Sequence, residues 1–428
     1  MKHSFHLMAK PAGWHCNLVC DYCFYLCKGQ NVLGDCGGQR HMPDKVLEAY
    51  IRQYIAASPG PEVNFTWQGG EPTLAGLDFY RRALTLQLRY AGDKRISNSL
   101  QTNGVLINDE WAEFLAQNRF LVGLSLDGPA HLHNHYRKTA SGKPVFDKVM
   151  AALACLKRHG VEYNILAVVN DMTAHYPLEI YRFLIRDAGA QFIQFIPVVE
   201  FFPQHGMLLW SVTGEAYGQF IITIFDEWVR HDVGRVFVQL FDNKLAAWSG
   251  ERPALCVMQP TCGRGLVVEQ NGDIYSCDHY VDAEHRLGNL LRQPLEKRVI
   301  SKAQRHFGQQ KAQLPDACQR CPWRFACQSG CPKHRIHNRL NHLCDGYRMM
   351  FSHMDPYMRF MAQQIKQKQS PARVMAVAVA VTVAVAVAVA VAVAVAVAVA
   401  EDIASLVRKY SSRGPVGRMS EGIRPTDI

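Results

Sequence analysis

The chain has 428 residues, 48% of them hydrophobic, which is enough for two domains or for one large domain with an appendage. Its formal net charge is +10, but the basic residues are scattered, and no Lys/Arg block resembles a nucleic-acid-binding arm. Residues 1–13 lack a long apolar run and a small-residue cleavage site, which argues against a secretory signal and predicts a cytoplasmic protein. Fourteen cysteines in a reducing compartment indicate metal binding and argue against a disulfide scaffold.

Short apolar, β-branched runs alternate with amphipathic stretches in the N-terminal half of the chain. This alternation is typical of a parallel α/β sheet and predicts an α/β fold, a curved partial barrel. Glycine-rich polar turns follow several of the runs, and sites in parallel α/β proteins gather at the C-terminal ends of strands. The predicted strands are residues 4–9, 63–67, 96–101, 121–126, 163–169 and 192–197.

The first of these turns carries Cys16, Cys20 and Cys23 in the spacing C-x3-C-x2-C. Three thiolates on one loop can hold three irons of a [4Fe–4S] cube and leave the fourth iron open, whereas an electron carrier fills all four corners with cysteine. A zinc knuckle is the alternative, but zinc sites usually combine C-x2-C with a second pair or with histidines. Cys27 and Cys36 do not supply that spacing, and the sequence gives them no role.

A second cysteine array occupies residues 256–344, after the strand–helix alternation has faded near residue 235. It contains a C-x9-G-x4-C motif and then a C-x2-C-x5-C-x3-C motif. The array supplies enough thiolates for two fully ligated cubes, and a pair of zinc ribbons does not explain the x5 and x3 spacings. Its cysteines are Cys256, Cys262, Cys277, Cys318, Cys321, Cys327, Cys331 and Cys344.

Residues 375–400 are an almost pure Ala-Val alternation, long enough to span a bilayer. Strict alternation is more typical of β-structure than of a helix, alanine is weakly apolar, and no aromatic belt is present. We therefore expect a low-complexity extension more than a membrane anchor, followed by a polar, disordered tail. The predicted organisation is a core barrel in residues 1–235, a cysteine-rich domain in 236–370, and the extension with its tail in 371–428.

The triad, with Phe24 beside its last cysteine, resembles the signature of the radical S-adenosylmethionine (SAM) enzymes. The second array resembles their SPASM extension, which binds two auxiliary [4Fe–4S] clusters. A longer set of ordered motifs across residues 3–365 is similar to the anaerobic sulfatase-maturating enzymes, and such a set is more specific than one motif. These motifs are KPAG (10–13), QGGEPTL (68–74), QTNG (101–104), SLDGP (125–129), QFIP (194–197) and NGDIYSCDHY (271–280).

The resemblance implies a fold, a reaction and its cofactors. The fold is a partial (β/α)6 TIM-like radical SAM barrel followed by a SPASM domain. A Cys or Ser side chain of a sulfatase becomes Cα-formylglycine without oxygen, through a 5′-deoxyadenosyl radical. The cofactors are SAM and three [4Fe–4S] clusters. The partners are an unfolded or nascent sulfatase polypeptide and a low-potential electron donor such as flavodoxin or ferredoxin; neither nucleic acid nor a membrane is expected.

The same resemblance assigns the cluster ligands. Cys16, Cys20 and Cys23 would hold the cluster that binds SAM. The two auxiliary clusters would divide the second array in an interleaved way that spacing alone does not give. One would use Cys256, Cys262, Cys277 and Cys331, and the other Cys318, Cys321, Cys327 and Cys344.

The predicted SAM contacts are Tyr22, Gly70, Ser125, Arg137 and Val198. Arg137 is suited to a carboxylate, and a glycine at position 70 would let the backbone approach the methionine part of SAM.

Carboxylates at three positions have competing interpretations. The resemblance makes Asp278 the base that takes a proton from the target side chain, although an aspartate after a strand is as often a turn or capping residue. It places Glu71 near the amino group of SAM. Asp127, within a DGP sequence, is first of all a turn signal.

Two other functions remain open at this point. Another SPASM enzyme could form thioether or carbon–carbon crosslinks in a small peptide with the same clusters. A non-catalytic iron–sulfur electron carrier is disfavoured because a carrier does not need an open iron. Cys155, on a predicted amphipathic helix, is interpreted as ordinary packing.

Overall fold

The computed structural model describes residues 4–28, 41–202, 204–336 and 340–411. Contacts divide the chain into two compact units, Met1–Val374 and Met375–Ile428, which are treated separately below. Cys36 lies outside the described residues, and Cys27 lies in the short helix α1 (Phe24–Lys28).

Six parallel strands form the centre of the first unit, and each pairs with the next along the chain. All six predicted strands are confirmed to within two residues at each end. Parallel strands need crossover connections, which the intervening helices supply. The strands are β1 (His6–Ala9), β2 (Glu62–Trp67), β3 (Arg95–Thr102), β4 (Leu121–Ser125), β5 (Tyr163–Val169) and β6 (Phe192–Pro197). The helices between them are α2 (Asp44–Ala57), α3 (Leu77–Tyr90), α4 (Asp109–Gln117), α5 (Ala130–Tyr136), α6 (Phe146–Arg158) and α7 (Pro177–Arg186).

Aromatic side chains fill the space between the sheet and helices α2 and α3. Tyr50, Trp67 and Tyr80 are fully buried. The Trp67 ring makes edge-to-face contacts with Tyr50 and Tyr80, each with ring centroids 5.7 Å apart. Such pairs contribute about 0.5–1.5 kcal/mol each beyond the burial of their area. This core fixes the strands on one face and leaves the loops at their C-terminal ends to form the site.

The sheet continues into the cysteine-rich segment. After the small ribbon of β7 (Phe201–Phe202) and β8 (Gly206–Met207), strand β9 (Phe237–Val238) pairs with β6. Strand β10 (Gly265–Val268) pairs in parallel with β1, from His6 opposite Gly265 to Ala9 opposite Val268. Strands β11 (Asp273–Tyr275) and β12 (Arg286–Asn289) follow as antiparallel neighbours. Within the described ranges the main sheet has the order β12-β11-β10-β1-β2-β3-β4-β5-β6-β9, so it crosses the predicted boundary at residue 235.

The remaining helices of the first unit surround the second cysteine array. The longest of them, α14 (Cys344–Lys366), begins at one of the array's cysteines. It packs on α8 (Gly214–His231), where His353 Nε2 lies 2.7 Å from Asp226 Oδ1. The other helices are α9 (Gln239–Trp248), α10 (Leu295–Val299), α11 (Lys302–Gln310), α12 (Asp316–Gln319) and α13 (Arg324–Cys327).

The Ala-Val segment is helical, in α15 (Val374–Ser411), although strict alternation is more typical of β-structure. Alanine has the highest helix propensity, and a helix pairs its own N–H and C=O groups, whereas a strand needs a partner. The helix also runs through residues 401–411, where a disordered tail was predicted; residues 412–428 lie outside the described range. Among the residues described, no helix has the length and apolar character needed to cross a membrane.

Candidate active site

Three thiols share one cavity at the C-terminal edge of the parallel strands. Cys16, Cys20 and Cys23 lie on the loop after β1 and line a cavity of about 330 Å³. Burial raises the pKa of Cys16 to about 12 and that of Cys20 to about 12, and the nearby Cys23 thiol adds to both rises. Thiols in this setting do not ionise alone, but iron would stabilise them as thiolates. The donor set and the adjoining space therefore fit a cube with one open corner.

Hydrogen-bond donors surround the first of these sulfurs. The backbone N–H of Leu18 lies 3.4 Å from Cys16 Sγ, and Asn103 Nδ2 lies 3.7 Å from it. Asn103 follows β3, so the loop after one strand supports the cysteine loop after another. Such donors stabilise negative charge on a ligating sulfur.

The five predicted SAM contacts all line this cavity: Tyr22, Gly70, Ser125, Arg137 and Val198. Ser125 ends β4, and its Oγ accepts a hydrogen bond from Gln101 Nε2 at 3.3 Å. Val198 follows β6, and its N–H donates to Val169 O at 2.9 Å. The sequence therefore identified a set of residues that the fold brings together.

The glycines after β2 make room for protein groups. A Cβ atom at Gly69 would lie 2.0 Å from Cδ of Lys10, and one at Gly70 would lie 2.0 Å from the His15 carbonyl oxygen. Both also have positive φ angles, 95° and 42°. The absence of side chains at both positions thus leaves room for the cysteine loop and for a buried lysine. The approach of the Gly70 backbone to SAM stays a prediction.

Arg137 is held by a buried carboxylate. Its Nε and Nη2 donate to Asp127 Oδ2 and Oδ1 at 2.7 and 3.1 Å. Asp127 also accepts from Tyr22 OH at 2.6 Å and from the Val168 N–H at 2.9 Å. Burial raises the pKa of Asp127, but Arg137 outweighs that effect and the net pKa is lowered. Asp127, predicted only as a turn residue, fixes two of the predicted SAM contacts.

The Glu71 carboxylate accepts four hydrogen bonds from nearby residues. Its carboxylate accepts from Thr73 N at 3.0 Å, Thr73 Oγ1 at 2.6 Å, Thr102 Oγ1 at 2.7 Å and Asn103 N at 2.8 Å. The side chain is buried. These bonds tie the turn after β2 to the turn after β3. The observed partners of Glu71 are therefore groups of these two turns, and its contact with the amino group of SAM stays a prediction.

Asp278 enters the same cavity from the cysteine-rich segment. Nζ of Lys10 lies 2.6 Å from Asp278 Oδ1, and Lys10 is 1% exposed. The same ammonium lies 4.4 Å from the centre of the Tyr25 ring, whose hydroxyl donates to the buried Glu269. This chain of groups joins the loop after β1 to the residue that follows Cys277.

Sequence reasoning missed the role of Lys10. The residue was visible only as part of a family motif and as a lysine directly after an apolar strand. Its partner is 268 positions away in the chain, and the parallel pairing of β1 with β10 that brings them together was not predicted.

The structure also gathers the first predicted auxiliary set. Burial raises the pKa of Cys262 to about 11, and the nearby Cys331 and Cys256 add to that rise. Burial also raises the pKa of Cys277, and Cys331 and Cys256 raise it further. Gln304 Nε2 holds this region together by donating to Gly263 O at 3.0 Å and to Ser276 O at 3.2 Å.

The second predicted set lines a separate cavity of about 470 Å³: Cys318, Cys321, Cys327 and Cys344. Burial raises the pKa of Cys344 to about 11, with further contributions from Cys327 and Cys318. The interleaved division of the array is therefore also its spatial division. Four thiols around a shared space fit a fully ligated cube.

Cys155 lies apart from all three sets. It is buried on α6 within the main hydrophobic core. Its Sγ donates to Asp109 at 3.4 Å, and His159 also contacts Asp109. Arg158 donates to both Asp109 and Cys155, so a guanidinium already occupies this cluster.

Comparison with known families defines the class first. The profile of the Radical SAM superfamily matches residues 15–184, and that of the SPASM iron–sulfur cluster-binding domain matches residues 256–322. The chain is therefore a radical SAM enzyme with a SPASM domain. Three of the predicted ligands lie beyond the second match: Cys327, Cys331 and Cys344.

Relatives define the family within that class. The serine-type anaerobic sulfatase-maturating enzyme of Bacteroides thetaiotaomicron is 45% identical over 86% of this chain and 94% of its own. The cysteine-type enzyme of Clostridium perfringens is 35% identical over 84% of this chain and 99% of its own. The solved structure of native anSMEcpe with bound AdoMet has a TM-score of 0.78, with 34% identity over 84% of this chain and 99% of that one. The chain belongs to the anaerobic sulfatase-maturating enzymes.

Alanine at Gly70 tests the packing of the cysteine loop. We expect Gly70→Ala to lower the midpoint of thermal unfolding more than Gly92→Ala does. Gly92 also has positive φ but no atom within 4 Å of a Cβ, so its variant carries only the strain of about 1–2 kcal/mol for a left-handed residue. Equal unfolding midpoints for the two variants would show that the His15 backbone can move away from the added methyl group without loss of stability.

Asparagine at Asp127 tests the buried ion pair. Asp127→Asn leaves the Arg137 charge buried and uncompensated, so we expect a loss of about 3–5 kcal/mol in urea unfolding at neutral pH. Because the pKa of Asp127 is lowered in the fold, the parent should lose this advantage as pH falls through that lowered value. The control Asp109→Asn, at an exposed pair with Arg158, should change little. Similar midpoints for both variants would contradict the account.

Proposed function

We propose that this enzyme oxidises a Cys or Ser side chain of an unfolded or nascent sulfatase polypeptide to Cα-formylglycine without oxygen. SAM and three [4Fe–4S] clusters would be its cofactors, and flavodoxin or ferredoxin a suitable electron donor. The observation that carries the proposal is the position of Asp278, which lines the cavity of the cysteine triad and directly follows Cys277 of the first auxiliary set.

The cysteine sets divide the cofactor binding. Cys16, Cys20 and Cys23 would hold the cluster that binds SAM. Cys256, Cys262, Cys277 and Cys331 would hold one auxiliary cluster, and Cys318, Cys321, Cys327 and Cys344 the other. When bound, SAM and its cluster would supply hydrogen-atom abstraction at the target Cβ, and an auxiliary cluster would supply an acceptor for one electron.

Around SAM, the chain supplies a fixed lining. Asp127 orients Tyr22 and Arg137. Gln101 orients Ser125, and the hydrogen bonds of Glu71 fix the turn at Gly70. Side chains held in this way bind a ligand without first losing conformational freedom. Arg137, suited to a carboxylate, would face the carboxylate of SAM.

Asp278 would act as the base. The target loses a hydrogen atom from Cβ, a proton from its hydroxyl or thiol, and one electron, which together make a carbon–oxygen or carbon–sulfur double bond. With a cysteine target, water then replaces sulfur and hydrogen sulfide leaves. Asp278 takes the proton, and Lys10 at 2.6 Å compensates the charge of the carboxylate and holds it at the cavity.

A crosslinking SPASM enzyme is the alternative. Among solved structures, a Streptococcus suis SuiB complex with precursor peptide SuiA has a TM-score of 0.57 but 16% identity, so that likeness is one of fold. The identity to sulfatase-maturating enzymes along most of the chain and the paired Asp278 favour sulfatase maturation. Both serine-type and cysteine-type relatives are present, so the substrate test uses both targets.

Asparagine at Asp278 tests the assignment. The enzyme is incubated anaerobically with SAM, a reductant and sulfatase-motif peptides carrying Ser or Cys, and the peptides are analysed by mass spectrometry. We expect Asp278→Asn to cleave SAM and keep its iron while formylglycine formation falls by about 10²–10⁴, the usual cost of losing a general base. The control is Asp282→Asn, at a half-exposed aspartate paired with His285, which should form product at the parent rate.

Two outcomes would contradict the proposal. Formylglycine at the parent rate in Asp278→Asn would make Asp278 a turn residue. A parent enzyme that cleaves SAM but leaves both peptides without formylglycine would reject sulfatase maturation in favour of another peptide modification.

A further inference from the structure

Two lysines are buried beside the auxiliary cysteine sets. Lys311 has no exposed surface, and Lys244 is 3% exposed. Lysine is almost never fully buried unless its charge is compensated. The mechanism proposed above uses neither residue, so their burial calls for a partner.

Lys311 lies against the first set. It follows α11, and its Nζ donates to the backbone oxygens of Cys256 at 2.7 Å and Val257 at 2.9 Å. Burial lowers the pKa of this lysine, and the opposing effect comes from Cys262, Cys256 and Cys331. The two hydrogen bonds therefore tie the buried ammonium to the loop that carries Cys256.

Lys244 has the matching position at the second set. It lies on α9, and its Nζ donates to Ala326 O at 2.7 Å. Ala326 directly precedes Cys327 in the chain. The ammonium also lies 4.4 Å from the centre of the Phe351 ring, on the helix that begins at Cys344. Burial lowers the pKa of Lys244 to about 8, opposed first by Cys327. Each auxiliary set thus has one buried ammonium hydrogen-bonded to its own loop.

Carbonyl groups alone do not explain this arrangement. A neutral amide could donate to a backbone oxygen without the cost of burying a charge. A cube held by four thiolates is anionic, and reduction adds one more negative charge. A fixed cation in a low-dielectric interior stabilises the reduced form more than the oxidised form.

We propose that Lys311 and Lys244 raise the reduction potentials of the two auxiliary clusters, each acting on the cluster of its own set. Each lysine acts through its fixed positive charge and does not contact the substrate. The higher potential makes each cluster a better acceptor for one electron. This inference rests on the proposed cluster ligands and concerns this chain's own lysines.

The test measures reduction potentials in the anaerobically reconstituted full chain. Potentiometric titration followed by electron paramagnetic resonance is applied to the parent, Lys311→Gln, Lys244→Gln and the corresponding arginine variants. We expect each glutamine variant to keep about twelve irons and to lower one auxiliary potential by at least about 59 mV, a tenfold change for one electron. Arginine should restore most of that loss.

Lys302→Gln is the matched control, because Lys302 is an exposed lysine on the helix that leads to Lys311. It should leave all potentials unchanged. Potentials unchanged in both glutamine variants at full iron content would overturn the inference. If one variant loses iron, the other decides by its potential. If both lose iron, the lysines are structural and the inference is overturned. A parent chain that binds zinc, or only about four irons, would instead reject the proposed ligand sets.

Discussion

The ion pair between Lys10 and Asp278 is the interaction on which the site depends. It joins the loop after the first strand to the cysteine-rich segment near the other end of the first unit, and its lysine is 1% exposed. The pair depends on the pairing of β10 with β1 and of β11 with β10, because these pairings place the cysteine-rich segment that carries Asp278 beside the first strand. Without these pairings, Asp278 would not reach the cavity of the cysteine triad.

Other buried charges act in the same way at shorter range. Asp127 orients Arg137 and Tyr22, and Glu71 ties the turns after β2 and β3. A buried ion pair is weak evidence for net stability, because desolvation offsets most of its attraction. Its effect here is geometric, since each pair fixes loops that the strands alone would leave free. Buried charges also fix loops at the auxiliary sets, where Lys311 and Lys244 donate hydrogen bonds to the cysteine loops.

Local patterns in the sequence predicted what depends on local physics. The period and composition of apolar runs gave all six parallel strands, and cysteine spacing gave the triad. The interleaved auxiliary sets came from family resemblance, because no local rule joins Cys277 to Cys331. The role of Lys10 was missed, since its partner Asp278 is far away in the chain and leaves no local signal. The pairing of Arg137 with Asp127 was missed because the DGP sequence indicates a turn and does not show which side chain the aspartate contacts. The helix of the Ala-Val segment was not predicted, because its alternation is typical of β-structure while its alanines favour a helix.

Methionine at position 10 tests the dependence of the site on the ion pair most directly. Lys10→Met keeps the apolar stem and removes the ammonium. The measurement is the amount of formylglycine formed per SAM cleaved, in protein of matched iron content. The account predicts continued SAM cleavage and a ratio at least about tenfold below the parent, because Asp278 loses the group that holds it as the base. A ratio equal to that of the parent would contradict the account.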